Sequence, residues 1–599
     1  MEVKQMESAH EATAVTHPKA AVVQPGGLQN NSRWVTVILV LIALAALMAL
    51  SVIYYMQVQQ GHLNSNACDV GQIARNVFTG RGFTTNLIRP FNTGFSQSGQ
   101  GAFAEINRAP LFPCTVAGMF RLRSVSGQAV GSTSVVFFLA MLVAAFWLGS
   151  LLFNYQAGLL GAAVVGLSKP MLDVAISGEE WTTLGFFFTL LLCVVALHHK
   201  ASSRKSKYAG IGYSAAAGAL TALLYWTHYA MFLLVIPLAV YFAITGKARI
   251  VGLVAFLIVA LGLMAPLVAR NYSLTSSPIL GAGAWDVMAD TTAYPGDVFY
   301  RSVRSEQCST GSLLMFPLEH FPSFSEKVLR RSADLLGYAV TMLGLLGLPF
   351  AAVSSLYRFK KPQTNAVRGF CYGAVAALFI ALAALGVPVG CVIMFAPVIG
   401  VIAAGYLLLL ADSKRLHPVY LRFLLIGLIA ITVVPGVIAC VWSDAHDSDK
   451  PVDRLPKILA SQTRLQGPIF SSQPWTVAWT LGNPAVWLPV RDADVDQLAA
   501  VGLPMNLALI TRECEKYADD DTWKALYTIP GFLDYTASAD AYITEYIKTN
   551  NLPAGQKDAF LASARQVRRN YGISEAELAD FHTTPTNRLV PNDILILVK

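Results

Sequence analysis

The chain has 599 residues, 54% of them hydrophobic and only 13% charged, with a formal net charge of +8 and a mean hydropathy of +0.51. Soluble domains carry about 25% charged residues, so an ordinary cytosolic protein and a disordered chain are both excluded, and eight thinly spread Cys exclude a disulfide scaffold. The charge is uneven: about 35 of the 80 charged residues lie from residue 443 onward, which predicts a polytopic membrane protein with a soluble C-terminal domain.

Residues 1–33 are polar and read as a disordered cytoplasmic tail, with no apolar run before the first span to suggest a cleaved signal. A helix needs about 20 apolar residues to cross the hydrocarbon. Runs of that kind fall at about 34–57, 132–153, 156–174, 181–198, 209–226, 229–245, 250–268, 334–356, 369–387, 390–410 and 419–441, which is eleven spans within 34–441. The short connections at 198–208, 246–249, 357–368 and 411–417 are basic, whereas 175–180, 227–228 and 388–389 contain no Lys or Arg. Basic loops stay in the cytoplasm, so this alternation predicts a cytoplasmic N-terminus and a C-terminal domain outside. The same loops account for the positive charge through anionic headgroups, with no need of nucleic acid.

Three segments are then outside: 58–131, 269–333 and 442–599. The last reads as an α/β domain. Apolar runs at Pro468–Phe470, Ala485–Val490, Leu507–Ile510 and Ile594–Val598 predict strands, and Ala493–Ala500 and Ala554–Tyr571 predict helices. The first outer loop is too long for a connector. Its segment 70–79 has Val70, Ile73, Val77 and Phe78 on one side, as an amphipathic helix lying at the membrane surface would. Asp69 stands at the head of that helix, either as its N-cap or as a catalytic carboxylate.

Asp69 with Ile73-Ala74-Arg75-Asn76, then Gly80-Arg81-Gly82-Phe83 and Ala109-Pro110-Leu111-Phe112-Pro113, resembles the first outer loop of the GT-C glycosyltransferases. The likeness is to the bacterial relatives of dolichyl-phosphate-mannose protein mannosyltransferases and to lipid A aminoarabinose transferases. Ser177-Gly178-Glu179-Glu180, Pro266 to Arg270-Asn271-Tyr272, and Ser471-Ser472-Gln473-Pro474-Trp475 with Trp487-Leu488-Pro489 extend it in order over about 35–599. Many such relatives carry a second acid or an aromatic pair after the Asp, whereas Val70 and Gly71 follow here. The resemblance implies a GT-C membrane domain with a C-terminal extracytoplasmic α/β domain. It also implies inverting transfer of a sugar from a polyprenyl-phosphate carrier at the periplasmic face of a bacterial inner membrane, with Asp69 essential.

The residue types suit that chemistry. An acceptor hydroxyl needs a carboxylate to take its proton, and a departing lipid phosphate needs positive charge more than an acid. Asp69 is the candidate base, with Glu180 to orient the acceptor or a basic partner. Arg89, Arg108 and Arg270 are candidate phosphate ligands, the alternative for each being a snorkelling or surface Arg. His228, Tyr229 and Asp173 are candidate pocket residues, although aromatics around His228 also fit an interfacial belt. No Cys or His cluster has zinc spacing, and Asp492, Asp494 and Asp496 read as a solvated helix start, so neither a metal nor another cofactor is implied. Cys68 and Cys114 share the first outer loop and form either a disulfide or buried thiols. Spans nearly free of mid-membrane charge, and no internal repeat, weigh against a transporter. The absence of Trp-Trp-Asp favours single-sugar transfer over an oligosaccharide ligase of the same superfamily. The acceptor is a lipid, a protein or a glycan, and neither it nor the sugar is named by the sequence.

Overall fold

The computed structural model describes residues 28–411 and 467–524, save 60, 62, 96–102, 204–206, 246–248, 304–309, 506, 518–520 and 522, together with scattered positions of 419–438, and 582–583 and 594–598. Helix α1 (Leu28–Val58) leads into a long loop that holds α2 (Ser65–Phe78) and α3 (Leu111–Leu122). A bundle follows: α4 (Gly127–Leu152), α5 (Tyr155–Gly166), α6 (Lys169–Ile176), α7 (Trp181–Ser203), α8 (Lys207–Thr227), α9 (Val235–Ile244) and α10 (Arg249–Thr275). A second long loop carries α11 (Val298–Arg301) and α12 (Thr310–Glu319). Beyond it come α13 (Phe321–Met342), α14 (Gly344–Ser354), α15 (Pro362–Ala384) and α16 (Ala396–Ala411).

Six helical runs are long and apolar enough to cross a membrane: α1, α4, α7, α10, α15 and Val389–Ala411. Counting the bent pairs α5 with α6 and α13 with α14 as one span each raises this to eight, short of the eleven expected. Of the expected spans, 209–226 forms α8, which is not among these helices, and 334–356 falls on the bent pair α13 with α14. The expected span 156–174 breaks by 67° where Pro170 starts α6, since Pro is disfavoured inside a helix and favoured in its first turn. The run 229–245 is a 3-10 turn followed by the ten residues of α9. The run 419–441 lies largely outside the described residues. Helix α7 packs between α4 and α8, and α8 lies against α10. Small residues set the closest approach: a Cβ on Gly149 would stand 2.4 Å from the Gly158 Cα, so α4 and α5 meet backbone to backbone. Apolar residues on α1 (Val35, Leu41, Ile42) and α10 (Ile250, Ile258) remain exposed, as lipid-facing helices require.

The C-terminal segment builds a sheet of six strands in the order β2–β5–β4–β6–β8–β7. Here β1 is Thr84–Thr85, β2 Leu87–Ile88, β3 Phe103–Ala104, β4 Ile469–Ser471, β5 Ala485–Trp487, β6 Leu507–Thr511, β7 His582–Thr583 and β8 Ile594–Val598. Strands β2, β5, β4 and β6 run parallel, and β8 is antiparallel to both β6 and β7. The four expected strands and the helix at Asp492–Ala500 are in place. The expected helix 554–571 lies outside the described residues. Strands β1, β2, β3 and β7 were not foreseen; of these, β2 belongs to the first long loop and pairs Leu87 with Ala485 and Ile88 with Val486. Ile88 thereby enters the core of Phe470, Val486, Leu488 and Ile510.

Candidate active site

Helix α2 begins at its N-cap Asn64, whose side chain accepts from the Ala67 N–H at 2.8 Å. The start is thus earlier than the sequence suggests, and Asp69 is not the cap; it stands inside the helix. Helix α2 is covered by other elements on two sides. Ala67, Val70 and Ala74 pack on Phe112, Val116 and Phe120 of α3 and on Ala129 and Val130 of α4. On another side lies the helix Pro474–Leu481, and a Cβ on Gly71 would come within 2.9 Å of the Trp479 ring. Trp479 therefore explains why a glycine stands here. Arg75 fastens the same contact by donating to the carbonyls of Trp479 at 2.7 Å and Ala478 at 2.6 Å.

Asp69 is 2% exposed. Its Oδ2 accepts from Arg108 Nε at 2.7 Å and Arg89 Nη2 at 3.1 Å, and its Oδ1 from Gln72 Nε2 at 3.1 Å. Burial alone would raise this carboxyl, but Arg108 and Arg89 outweigh it and hold the group below the usual carboxylate range. Burial likewise opposes the charge of Arg108, and Asp69 and Glu180 more than restore it. Arg108 Nη2 also donates to Asn66 Oδ1 at 2.9 Å, and Nη1 lies 3.5 Å from Glu180. Beneath it, buried Glu105 accepts from the backbone N–H of Asn107 at 2.6 Å and of Arg108 at 2.9 Å. Burial and the nearby Asp69 charge push the Glu105 carboxyl up.

The two acids of the Ser-Gly-Glu-Glu segment divide. Glu180 faces Arg108, whereas Glu179 accepts from Asn64 Nδ2 at 2.6 Å and from the Trp181 indole, tying the cap of α2 to the start of α7. His228 is neutral near pH 7, because burial and Arg108 hold it down to about 4. Its Nδ1 accepts from the Ala230 N–H at 3.3 Å and its ring lies 5.9 Å from Trp181. Tyr229 donates to the Arg108 carbonyl at 3.0 Å.

A cavity of about 460 Å³ opens beside these groups and is lined by Asp69, Arg89, Arg108, Glu180, His228 and Tyr229. Two sequence candidates stand apart from its lining. Arg270 donates to the Glu105 carbonyl at 2.7 Å and sits 5.0 Å over the Phe83 ring, so it braces the loop that carries Arg108. Asp173 pairs with Lys169 at 2.9 Å and with the Tyr54 hydroxyl. Cys68 gives its thiol to the Leu63 carbonyl at 3.7 Å, and Cys114 is exposed.

The sequence reading did not pick out Gln72, Asn66 or Glu105, nor Asp286 and Tyr300, which line another wall of the cavity. Asp286 is one of several acids in the second loop, with no motif around it. Burial pushes it up to about 6 against the Tyr300 hydrogen bond and the Lys327 charge. Among the described residues no three His, Cys, Asp or Glu side chains form a group that could hold a metal ion.

No protein-family model and no curated protein matches the chain. Solved structures do. The archaeal oligosaccharyltransferase AglB from Archaeoglobus fulgidus, in complex with an inhibitory peptide and a dolichol-phosphate, superposes with a TM-score of 0.54 at 12% identity, over 82% of this chain and 71% of that one. The same oligosaccharyltransferase in complex with Zn and sulfate gives 0.53 at 12% identity, over 83% and 70%. The chain has the GT-C fold. ArnT from Cupriavidus metallidurans bound to undecaprenyl phosphate, also of the GT-C superfamily, gives 0.46 at 12% identity over 80% and 94%. In this fold the cavity lies where the helices meet the α/β sheet, since its lining runs from α2 and the start of α7 to Trp475 and Trp487.

Proposed function

We propose that this protein is an inverting glycosyltransferase that moves a single sugar from a polyprenyl-phosphate carrier to an acceptor hydroxyl. The reading places it in a bacterial inner membrane with the N-terminus cytoplasmic and the cavity and C-terminal domain periplasmic. The acceptor is a lipid, a protein or a cell-envelope glycan. The observation that carries the proposal is the buried Asp69 carboxylate held by Arg108 and Arg89 at the wall of a cavity in a GT-C membrane fold.

In the proposed reaction the acceptor oxygen bonds to the anomeric carbon as the bond from that carbon to the phosphate oxygen breaks. The configuration inverts, polyprenyl phosphate leaves with the electron pair, and the hydroxyl proton passes to Asp69. A carboxylate held by two guanidinium groups is a weak base. The donor phosphate supplies the remedy by competing for the same arginines, since guanidinium binds phosphate through paired hydrogen bonds. As Arg108 and Arg89 turn to the phosphate, burial is left as the main influence on Asp69 and raises its basicity. The arginines meanwhile neutralise the leaving group. Glu180 and Asn66 hold Arg108 through the exchange.

The likeness to oligosaccharyltransferase AglB favours a second reading, transfer of a preassembled glycan by the same chemistry. One assay decides. Purified protein in liposomes receives labelled polyprenyl-phosphate monosaccharide, and the release of polyprenyl phosphate is measured. Release with label passing to an acceptor supports the first reading. Release only from carriers bearing longer glycans supports the second, and no release from either overturns both.

A further inference from the structure

The rest of the cavity wall comes from other elements and has a different character. Asp286 lies in the 3-10 turn Gly281–Val287, Tyr300 stands on α11, and Trp475 and Trp487 belong to the C-terminal segment. The three aromatics form one assembly. The Tyr300 and Trp487 ring planes are 7° apart with centroids at 6.4 Å, and Trp475 stands edge-on to Trp487 at 5.4 Å. Two of them are fixed by hydrogen bonds. Trp487 Nε1 donates to the Tyr517 hydroxyl at 3.1 Å, and the Tyr300 hydroxyl donates to Asp286 Oδ1 at 2.6 Å. The turn carrying Asp286 is seated by the fully buried Trp285 and by Lys327, which donates to the Asp286 and Ala289 carbonyls. Among the described residues nothing donates to Asp286 Oδ2.

Rigid aromatic faces beside a carboxylate oxygen with spare acceptor capacity suit a ring that shows C–H patches on one side and hydroxyls at its edge. The nearby cations do not complete a site for an anionic sugar. Arg89, whose charge reaches Asp286, is paired with Asp69; Arg301 is engaged by the Leu488 carbonyl and by Asp521, and Lys327 is held by backbone carbonyls. A carboxylated sugar would meet Asp286, with Asp297 also on the lining.

We propose that Asp286, Tyr300, Trp475 and Trp487 form a subsite for an uncharged sugar ring. The proposal rests on the glycosyltransferase reading and adds the class of sugar. The ring belongs either to the donor or to the acceptor, two sources with one chemistry. Asp286 fixes hydroxyl positions and discriminates against acidic sugars, because a site built to bind hydroxyls leaves its polar groups unpaired when the partner is wrong.

The test uses the full chain in detergent. Binding of neutral methyl glycosides and of a methyl glucuronide is followed by saturation-transfer NMR, and KM for donor and acceptor is measured wherever transfer is seen. Wild type is expected to bind a neutral glycoside at least about tenfold better than the glucuronide. Asp286→Asn should shrink that preference to less than about threefold, and Trp475→Leu should weaken the neutral glycoside about tenfold, with unfolding temperatures near wild type. A KM rise confined to the donor or to the acceptor assigns the ring to that source, and either supports the subsite. The proposal is overturned if the glucuronide binds as well as neutral rings, if nothing binds, or if both folded variants behave as wild type. Sugar binding without any transfer would keep the subsite and sink the transferase. Transfer with an indifferent wall would do the reverse.

Discussion

Arg108 Nε lies 2.7 Å from Asp69 Oδ2, and no other contact in the cavity joins two oppositely charged groups at so short a distance among the described residues. The pair changes what a mutation at Asp69 should do. Because Asn64 is the cap, Asp69→Asn removes no capping group; it leaves two largely buried guanidinium groups short of a carboxylate. Turnover should fall at least about a hundredfold from loss of the base. Stability should fall as well, by about 3 kcal/mol, since breaking a buried pair strands the remaining charge. Asn64→Ala should cost about 1 kcal/mol with turnover kept within a few-fold. Transfer assays and denaturant unfolding of both variants separate the roles. An Asp69→Asn enzyme with normal turnover would move the base elsewhere, to Glu180 first.

How much of this was legible before the structure depends on the range of the contacts. Asp69, Arg108, Arg89 and Glu180 came from residue type and order in the first loop, and the strands of the C-terminal segment from short apolar runs. The helix start was misread because Asn64 caps six residues upstream of the apolar pattern that opens at Val70, and Asn64-Ser65-Asn66 offers three residues able to cap. Gly71, a departure when compared with relatives, is set by Trp479, more than four hundred positions away. Strand β2 is two residues long and takes its register wholly from β5, so no local pattern could mark it. Asp286 reaches the cavity only because the second loop packs on the first through Phe91, Trp285 and Phe299.

Asp286 makes a pH prediction. Its carboxyl is pushed from an ordinary 3.8 up to about 6 by burial. An acid whose folded value lies above its unfolded one binds more protons when folded, so its contribution to stability falls as pH rises between those limits. Thermal unfolding of wild type and Asp286→Asn across pH 4–7 should therefore diverge. Relative to the variant, wild type should gain stability as pH drops from about 7 to 4. Parallel curves would show that Asp286 titrates normally.

The second loop and the C-terminal segment are joined by Arg301 and Asp521, 2.7 Å apart and 1% and 0% exposed. Arg301 also donates Nε to the Leu488 carbonyl at 2.7 Å and covers the Tyr517 ring at 3.5 Å. Arg301→Met should cost about 3–5 kcal/mol, because Asp521 is left buried and unpaired. Asp521→Leu added to it should recover part of that loss, although the carbonyl contact stays broken. Denaturant unfolding of the two single variants and the double closes the cycle. Strictly additive costs would mean that the two charges do not interact.

Orientation gives the last prediction. Burial and the charge of Lys200 together lower the Lys361 ammonium, which sets two of the basic loops at one end of the bundle. Basic loops remain in the cytoplasm, so that end should face inward and the cavity outward. In a background in which Cys114, the exposed thiol among the described residues, is replaced by Ser together with Cys308 and Cys440, Lys200→Cys should react with a membrane-impermeant maleimide only after permeabilisation. Lys516→Cys, at a side chain 75% exposed beside β6, should react in spheroplasts with the inner membrane intact. The reverse pattern would put Asp69 on the cytoplasmic side, where a donor presented at the outer face could not reach it. Labelling of both sites before permeabilisation would mean leaky spheroplasts, which a cytoplasmic marker enzyme in the medium would reveal, and the comparison would then be repeated in sealed vesicles of known orientation.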